Sequence, residues 1–166
     1  EIDLIKSQVS ILKECLLLSN KNYIIIYPNN DFGSQFIIDC FNTINSRKIK
    51  IIPSLRFEYF LTLLKNSDFI IGNSSAGIRE APYYSLPTIN LGSRQQNRDI
   101  NDSIFNLDYD VDQILKIINK INKINKFKNS LNYGQGDSAI KFRKILQNEA
   151  IWKTKTQKQF IEIDFN

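Results

Sequence analysis

Residues 68–81 read DFIIGNSSAGIREA, and residues 87–92 read PTINLG. The first stretch changes hydrophobic period in its middle. Phe69, Ile70 and Ile71 form an unbroken apolar run, as a strand covered on both faces would. Gly72, Asn73, Ser74 and Ser75 supply a turn of small polar residues. A helical pattern begins at Ala76, with Glu80 about one turn on. Pro87 to Leu91 read as a second strand, stopped by Gly92. Strand, polar loop, helix and strand make a βαβ unit.

Such a unit turns its loop toward the carboxyl edge of a parallel sheet, where open α/β folds bind ligands. Two readings of the loop stand side by side. In one, helix amides, the helix dipole and the Ser74 and Ser75 hydroxyls meet a phosphate, while Glu80 accepts hydrogen bonds from a ribose diol. In the other, a serine is an N-cap and Glu80 merely complements the dipole.

Outward from this unit, the chain alternates helices and strands. Apolar positions from Leu4 to Leu16 predict a helix over 4–20. Tyr23–Tyr27 (YIIIY) reads as a buried strand, followed by the turn-rich loop Pro28–Ser34 and a helix from about Ser34. Lys50–Ile52 predict a strand ended by Pro53, and 55–64 a loop and helix. Ile104–Leu107 read as a last short strand. Helices are expected over 111–124 and 138–147. The pattern predicts a doubly wound, parallel, Rossmann-like sheet.

The chain has 166 residues, 42% hydrophobic and 23% charged, which suits one soluble globular domain. No apolar run reaches the roughly 20 residues of a membrane helix, and the acidic opening EIDLIK is no signal peptide. A cytoplasmic location without membrane association is therefore expected. Cys15 and Cys40 lie in apolar helical patterns and read as reduced core thiols. The absence of histidine removes the commonest metal ligand and general base. No metal or other cofactor is expected.

The net charge of +5 is uneven: residues 1–115 carry −2 and residues 116–166 carry +7. The lysines of IINKINKINKFKN are spread along an amphipathic pattern without interleaved exposed aromatics. That favours a solvated helix face over a nucleic-acid surface.

Three blocks, PNNDFGS (28–34), GNSSAGIREA (72–81) and PTINLGSRQ (87–95), resemble the nucleotide-binding segment of the hydrolysing UDP-N-acetylglucosamine 2-epimerases. The resemblance extends from about Tyr23 to about Phe142. It implies the C-terminal half of a two-domain, GT-B-like fold. It also implies a UDP site of Asn29, Leu55, Ser74, Ser75, Glu80 and Arg94. Leu55 would border uracil through its main chain, Ser74 and Ser75 would meet phosphate, Glu80 the ribose, and Arg94 the diphosphate. From the residues alone, Asn29 is equally an Asx-turn residue and Arg94 equally a surface ion pair. One departure is visible: the family's Arg-Gln-x-Gly-Arg has Asn97 for its glycine, and asparagine tolerates positive φ.

In this family the proton on carbon 2 is removed and UDP leaves carbon 1. Water then adds to the glycal, giving N-acetylmannosamine or a related free sugar on the way to sialic acids. The acid–base carboxylates come from the other domain, and a histidine near the start of this one assists the departing diphosphate. The chain has neither, so by the resemblance it is a fragment without catalytic residues of its own. In the strand order 3-2-1-4-5-6 the absent first strand would be central.

The expected domain is 1–150, with 151–166 as an extension that is either docked or frayed. Expected partners are UDP-N-acetylglucosamine or a related UDP-sugar and the missing N-terminal domain; a homo-oligomer is left open. A non-catalytic nucleotide-sugar-binding module, or a remnant of an enzyme, is the reading from another class.

Overall fold

A computed structural model of the chain describes residues 1–121, 123, 124 and 127–157. The elements alternate as α1 (Ile2–Leu18), β1 (Tyr23–Ile26), α2 (Ser34–Asn42), β2 (Ile49–Ile52), α3 (Phe57–Lys65), β3 (Ile70–Gly72), α4 (Ala76–Arg79), a 3-10 turn (Ala81–Tyr84), β4 (Thr88–Leu91), β5 (Ile104–Leu107), α5 (Val111–Ile121), α6 (Ser138–Leu146) and α7 (Glu149–Trp152).

Every strand pairing is parallel. β1 pairs with β2 in the register Tyr23 to Ile49, β3 with β4 at Ile70 to Thr88, and β4 with β5 at Thr88 to Ile104. The strands form two sheets, β1-β2 and β3-β4-β5, and no ladder joins β1 to β3. Placed in the order 3-2-1-4-5-6, the five strands supply every position except the first, and the break falls where that strand would run.

Side chains still align the two edges. The rings of Tyr23 and Phe69 meet edge to face at 6.0 Å. Two residues further along each strand, Ile71 packs against the cluster of Val9, Leu16, Ile25 and Phe41. The two sheets therefore run in the same direction.

The break corrects one expectation. Both YIIIY and FII read as strands covered on both faces. Ile24 is 43% exposed, and Ile70 and Ile71 are only half-buried.

The main core lies under β4, whose four residues are all buried. Ile89 and Leu91 pack with Cys15 of α1 and with Ile114, Ile118 and Ile121 of α5. That spacing of 4 and 3 in α5 is the stripe of a helix lying on a sheet. Burial, reinforced by the neighbouring Glu14 charge, pushes the Cys15 thiol up to about 11. Both cysteines are free, as expected of core thiols.

The helix after β3 is shorter than its pattern suggests. α4 stops at Arg79 because Pro82 disfavours the α conformation in the residue before it, and the chain tightens into the 3-10 turn. A dipole summed over a long helix is therefore not available to an anion here. α5 is described over Val111–Ile121, and Lys123 and Ile124, within the expected 111–124, are not helical.

The chain forms two compact units, Glu1–Ser130 and Leu131–Asn166. In the second unit, neither α6 nor α7 buries a residue. Trp152 donates its indole N–H to the Leu146 carbonyl at 2.9 Å. The expected extension 151–166 lies outside the described residues from 158 onward. Among the described residues, no helix is long and apolar enough to cross a membrane.

Candidate functional site

Four loops leave the carboxyl ends of β1 to β4, and five of the six candidate residues stand in them. Asn29 follows β1, Leu55 follows β2, Ser74 and Ser75 follow β3, and Arg94 follows β4. Glu80 stands beyond α4.

The loop after β1 turns at Gly33, whose φ is 85°. A Cβ there would come within 2.5 Å of Ile5 Cδ1. The backbone conformation favours glycine here, and a larger residue would also have to displace the end of the Ile5 side chain. Asn29 and Asp31 are exposed in this loop. Leu55 is half-buried, and none of the described side-chain bonds joins it to the other candidates.

After β3 the chain reverses at Gly72, with φ 141°. Ser74 is exposed, and its Oγ accepts from the Ala76 N–H at 3.3 Å. Ser75 stands at the N-cap position of α4 but makes no capping bond with its side chain. Among the described residues its hydroxyl has no hydrogen-bond partner, so capping does not explain it. Ser74 is exposed and Ser75 half-buried in the loop that leaves the carboxyl end of β3.

Glu80 is at the C-terminal end of α4, where a carboxylate opposes the helix dipole. Glu80 is at the same time the N-cap residue of the 3-10 turn, where its side chain makes no capping bond. Its Oε2 is buried without a partner. Such an oxygen is costly unless a donor reaches it.

Two contacts bring the loops together. Arg94 meets Asp31 at 3.4 Å, linking the loops after β4 and β1 across the break between the sheets. Both side chains are largely exposed, so the pair stabilises little, yet it puts the guanidinium at the shared edge. The second contact belongs to Gln95, only 4% exposed, whose Nε2 donates to the Asn73 carbonyl at 3.1 Å. It joins the arginine loop to the serine loop. Asn97 has φ 62°, so asparagine carries the left-handed turn at the family's glycine position.

Neither Asp31 nor Gln95 was singled out by the sequence reading. Both lie inside recognised blocks, but nothing in GSRQQ distinguishes the inward glutamine from the outward one.

The loops offer an exposed hydroxyl at Ser74, a half-buried one at Ser75 and an exposed guanidinium at Arg94, and Glu80, beyond α4, holds a buried carboxylate oxygen. That set suits a ligand with anionic groups beside a diol. The chain is 42% identical to a UDP-N-acetylglucosamine 2-epimerase of Neisseria meningitidis over 91% of its own length and 41% of the relative's. It is 33% identical to a hydrolysing UDP-N,N'-diacetylbacillosamine 2-epimerase of Legionella pneumophila, over 89% of the chain and 39% of that protein. The crystal structure of the Methanocaldococcus jannaschii UDP-GlcNAc 2-epimerase in complex with UDP-GlcNAc and UDP matches with a TM-score of 0.68 at 23% identity. That match covers 86% of this chain and 41% of the other. It establishes the fold, a Rossmann-like half of a GT-B-like arrangement. The chain thus spans about two-fifths of the length of these relatives. A family model described as UDP-N-acetylglucosamine 2-epimerase matches residues 3–147, and the chain belongs to that family.

Proposed function

We propose that this chain is the UDP-holding part of a hydrolysing UDP-N-acetylglucosamine 2-epimerase. The whole protein would convert UDP-N-acetylglucosamine, or a related UDP-2-acetamido sugar, and water to N-acetylmannosamine, or the matching free sugar, and UDP. The Legionella relative carries the hydrolysing activity in its name. The observation that carries the reading is the meeting of three loops through Arg94–Asp31 and Gln95–Asn73.

In this reading Ser74, Ser75 and Arg94 hold the diphosphate. As the bond from the sugar carbon 1 to UDP breaks, negative charge grows on the departing β-phosphate, and the guanidinium and hydroxyls stabilise it. Glu80 accepts from the ribose hydroxyls, which satisfies its buried oxygen. Leu55 borders uracil through its main chain, and Asn29 adds a contact from the loop after β1. Removal of the carbon 2 proton and delivery of water fall to groups outside this chain, which has no histidine. The chain alone is therefore expected to bind without turnover. The reading includes a domain of 1–150 and a partner domain N-terminal to it.

Titration calorimetry on the chain with UDP and with uridine tests the assignment. Tighter binding of UDP is expected, because the diphosphate contacts dominate. Equal affinities would overturn it.

A further inference from the structure

Gln95 is a buried amide at the edge of an open site. Its neighbours Arg94 and Gln96 are exposed, whereas Gln95 turns inward under the serine loop. Nε2 bonds the Asn73 carbonyl, and Oε1 is buried without a partner. The opposite orientation of the amide would set oxygen against the carbonyl oxygen, so this one is dictated by its neighbour. A side chain that leaves one buried acceptor unmet is a costly way to fill space; an apolar residue of the same length would fill it better.

What the bond secures is a peptide plane. The Asn73 carbonyl belongs to the same planar trans unit as the Ser74 N–H, so the two point in opposite directions. Holding the oxygen therefore fixes the direction of the amide. The residues on either side of this unit, Asn73 and Ser74, are both exposed, so packing does not fix the rotations that orient it. The restraint has to come from elsewhere, and Gln95 supplies it. Because Gln95 follows Arg94 directly, the same bond ties the guanidinium loop to the serine loop.

We infer that Gln95 is a positioning residue for the diphosphate, aiming the Ser74 amide and keeping the Arg94 loop beside it. This rests on the UDP reading above, and the effect should be confined to the anion. In the full chain, Gln95→Met removes the donor at similar length. It should lower the affinity for UDP about tenfold and leave that for uridine unchanged, so that the preference for the diphosphate shrinks.

A purely structural role would lower the melting temperature and weaken both ligands alike, and that result overturns the inference. Gln95→Glu provides a second route should Gln95→Met fold poorly. An ionised carboxylate cannot donate to Asn73, but a protonated one can. Compared with wild type at the same pH, this variant should lose UDP preference at pH 8 and regain it toward pH 5. A deficit that does not change with pH would count against the inference. If the wild-type chain itself binds uridine as well as UDP, the nucleotide reading fails first. If wild type prefers UDP and both variants keep the full preference, Gln95 alone is misassigned.

Discussion

Gly77→Ala is the most informative single change for the fold of the site. Gly77 is buried in α4 where that helix crosses β4. A Cβ at this position would lie 2.6 Å from Thr88 Cγ2, against the roughly 3.5–4.0 Å of an ordinary carbon contact. About 1 Å of movement is therefore needed. Thr88 cannot give it cheaply: it is 2% exposed, sits in the central strand of its sheet, and donates its hydroxyl to the Gly77 carbonyl at 2.6 Å. α4 has to move instead. Overpacking of this kind costs about 1–3 kcal/mol.

Thr88→Ser removes the offending methyl and keeps the hydroxyl. The nearest Thr88 atom left is Oγ1 at 3.5 Å, an ordinary contact. Alone, Thr88→Ser should cost roughly 0.8 kcal/mol for the lost methyl. In combination the two changes should cost clearly less than their sum, with a coupling of about 1 kcal/mol or more. Urea denaturation of the four proteins, with unchanged m-values, reads this directly. Additive effects would refute the proposed close approach. Because the Gly77 N–H bonds the Ser74 carbonyl at 3.1 Å, displacing α4 should also weaken UDP binding.

Two further outcomes are expected. Ser75→Ala should weaken UDP but not uridine, whereas Glu80→Gln should weaken both, each by about 1–3 kcal/mol; calorimetry with the two ligands separates the diphosphate role from the ribose role. Hydrogen exchange should report the break in the sheet. Tyr23 and Tyr27 donate to β2, and Ile70 donates to the Pro87 carbonyl beside β4. The alternation of strand amides then turns those of Ile24, Ile26 and Ile71 toward the break. They should exchange much faster than Ile89, and protection equal to that of Ile89 would mean that β1 and β3 are bridged.

Much of this architecture is legible in the residues, because apolar runs such as YIII and TINL between helical patterns leave few alternatives to a parallel sheet. The positions of Ser74, Ser75 and Arg94 at loop starts follow from the same pattern. What local pattern does not carry is competition between neighbours. Ile78 continues a helical stripe, yet Pro82 ends α4 within one turn. Glu80 reads as an early-helix acid, yet it falls at the junction between α4 and the 3-10 turn. Gln95 and Gln96 are chemically identical in sequence, and only the position of the Asn73 carbonyl, 22 residues earlier, selects the first for burial.

These differences change how anion binding is explained. A four-residue helix contributes little summed dipole, so the serine loop needs another source of order. Two cross-loop contacts remain, and they are unequal. Arg94–Asp31 is exposed and 3.4 Å long, so an arriving diphosphate can take the guanidinium from Asp31 at small cost. Gln95–Asn73 is held on its buried glutamine side and has nothing to gain from the ligand, so it persists. The exchangeable contact thus presents the charge, and the fixed one holds the frame against which it is presented.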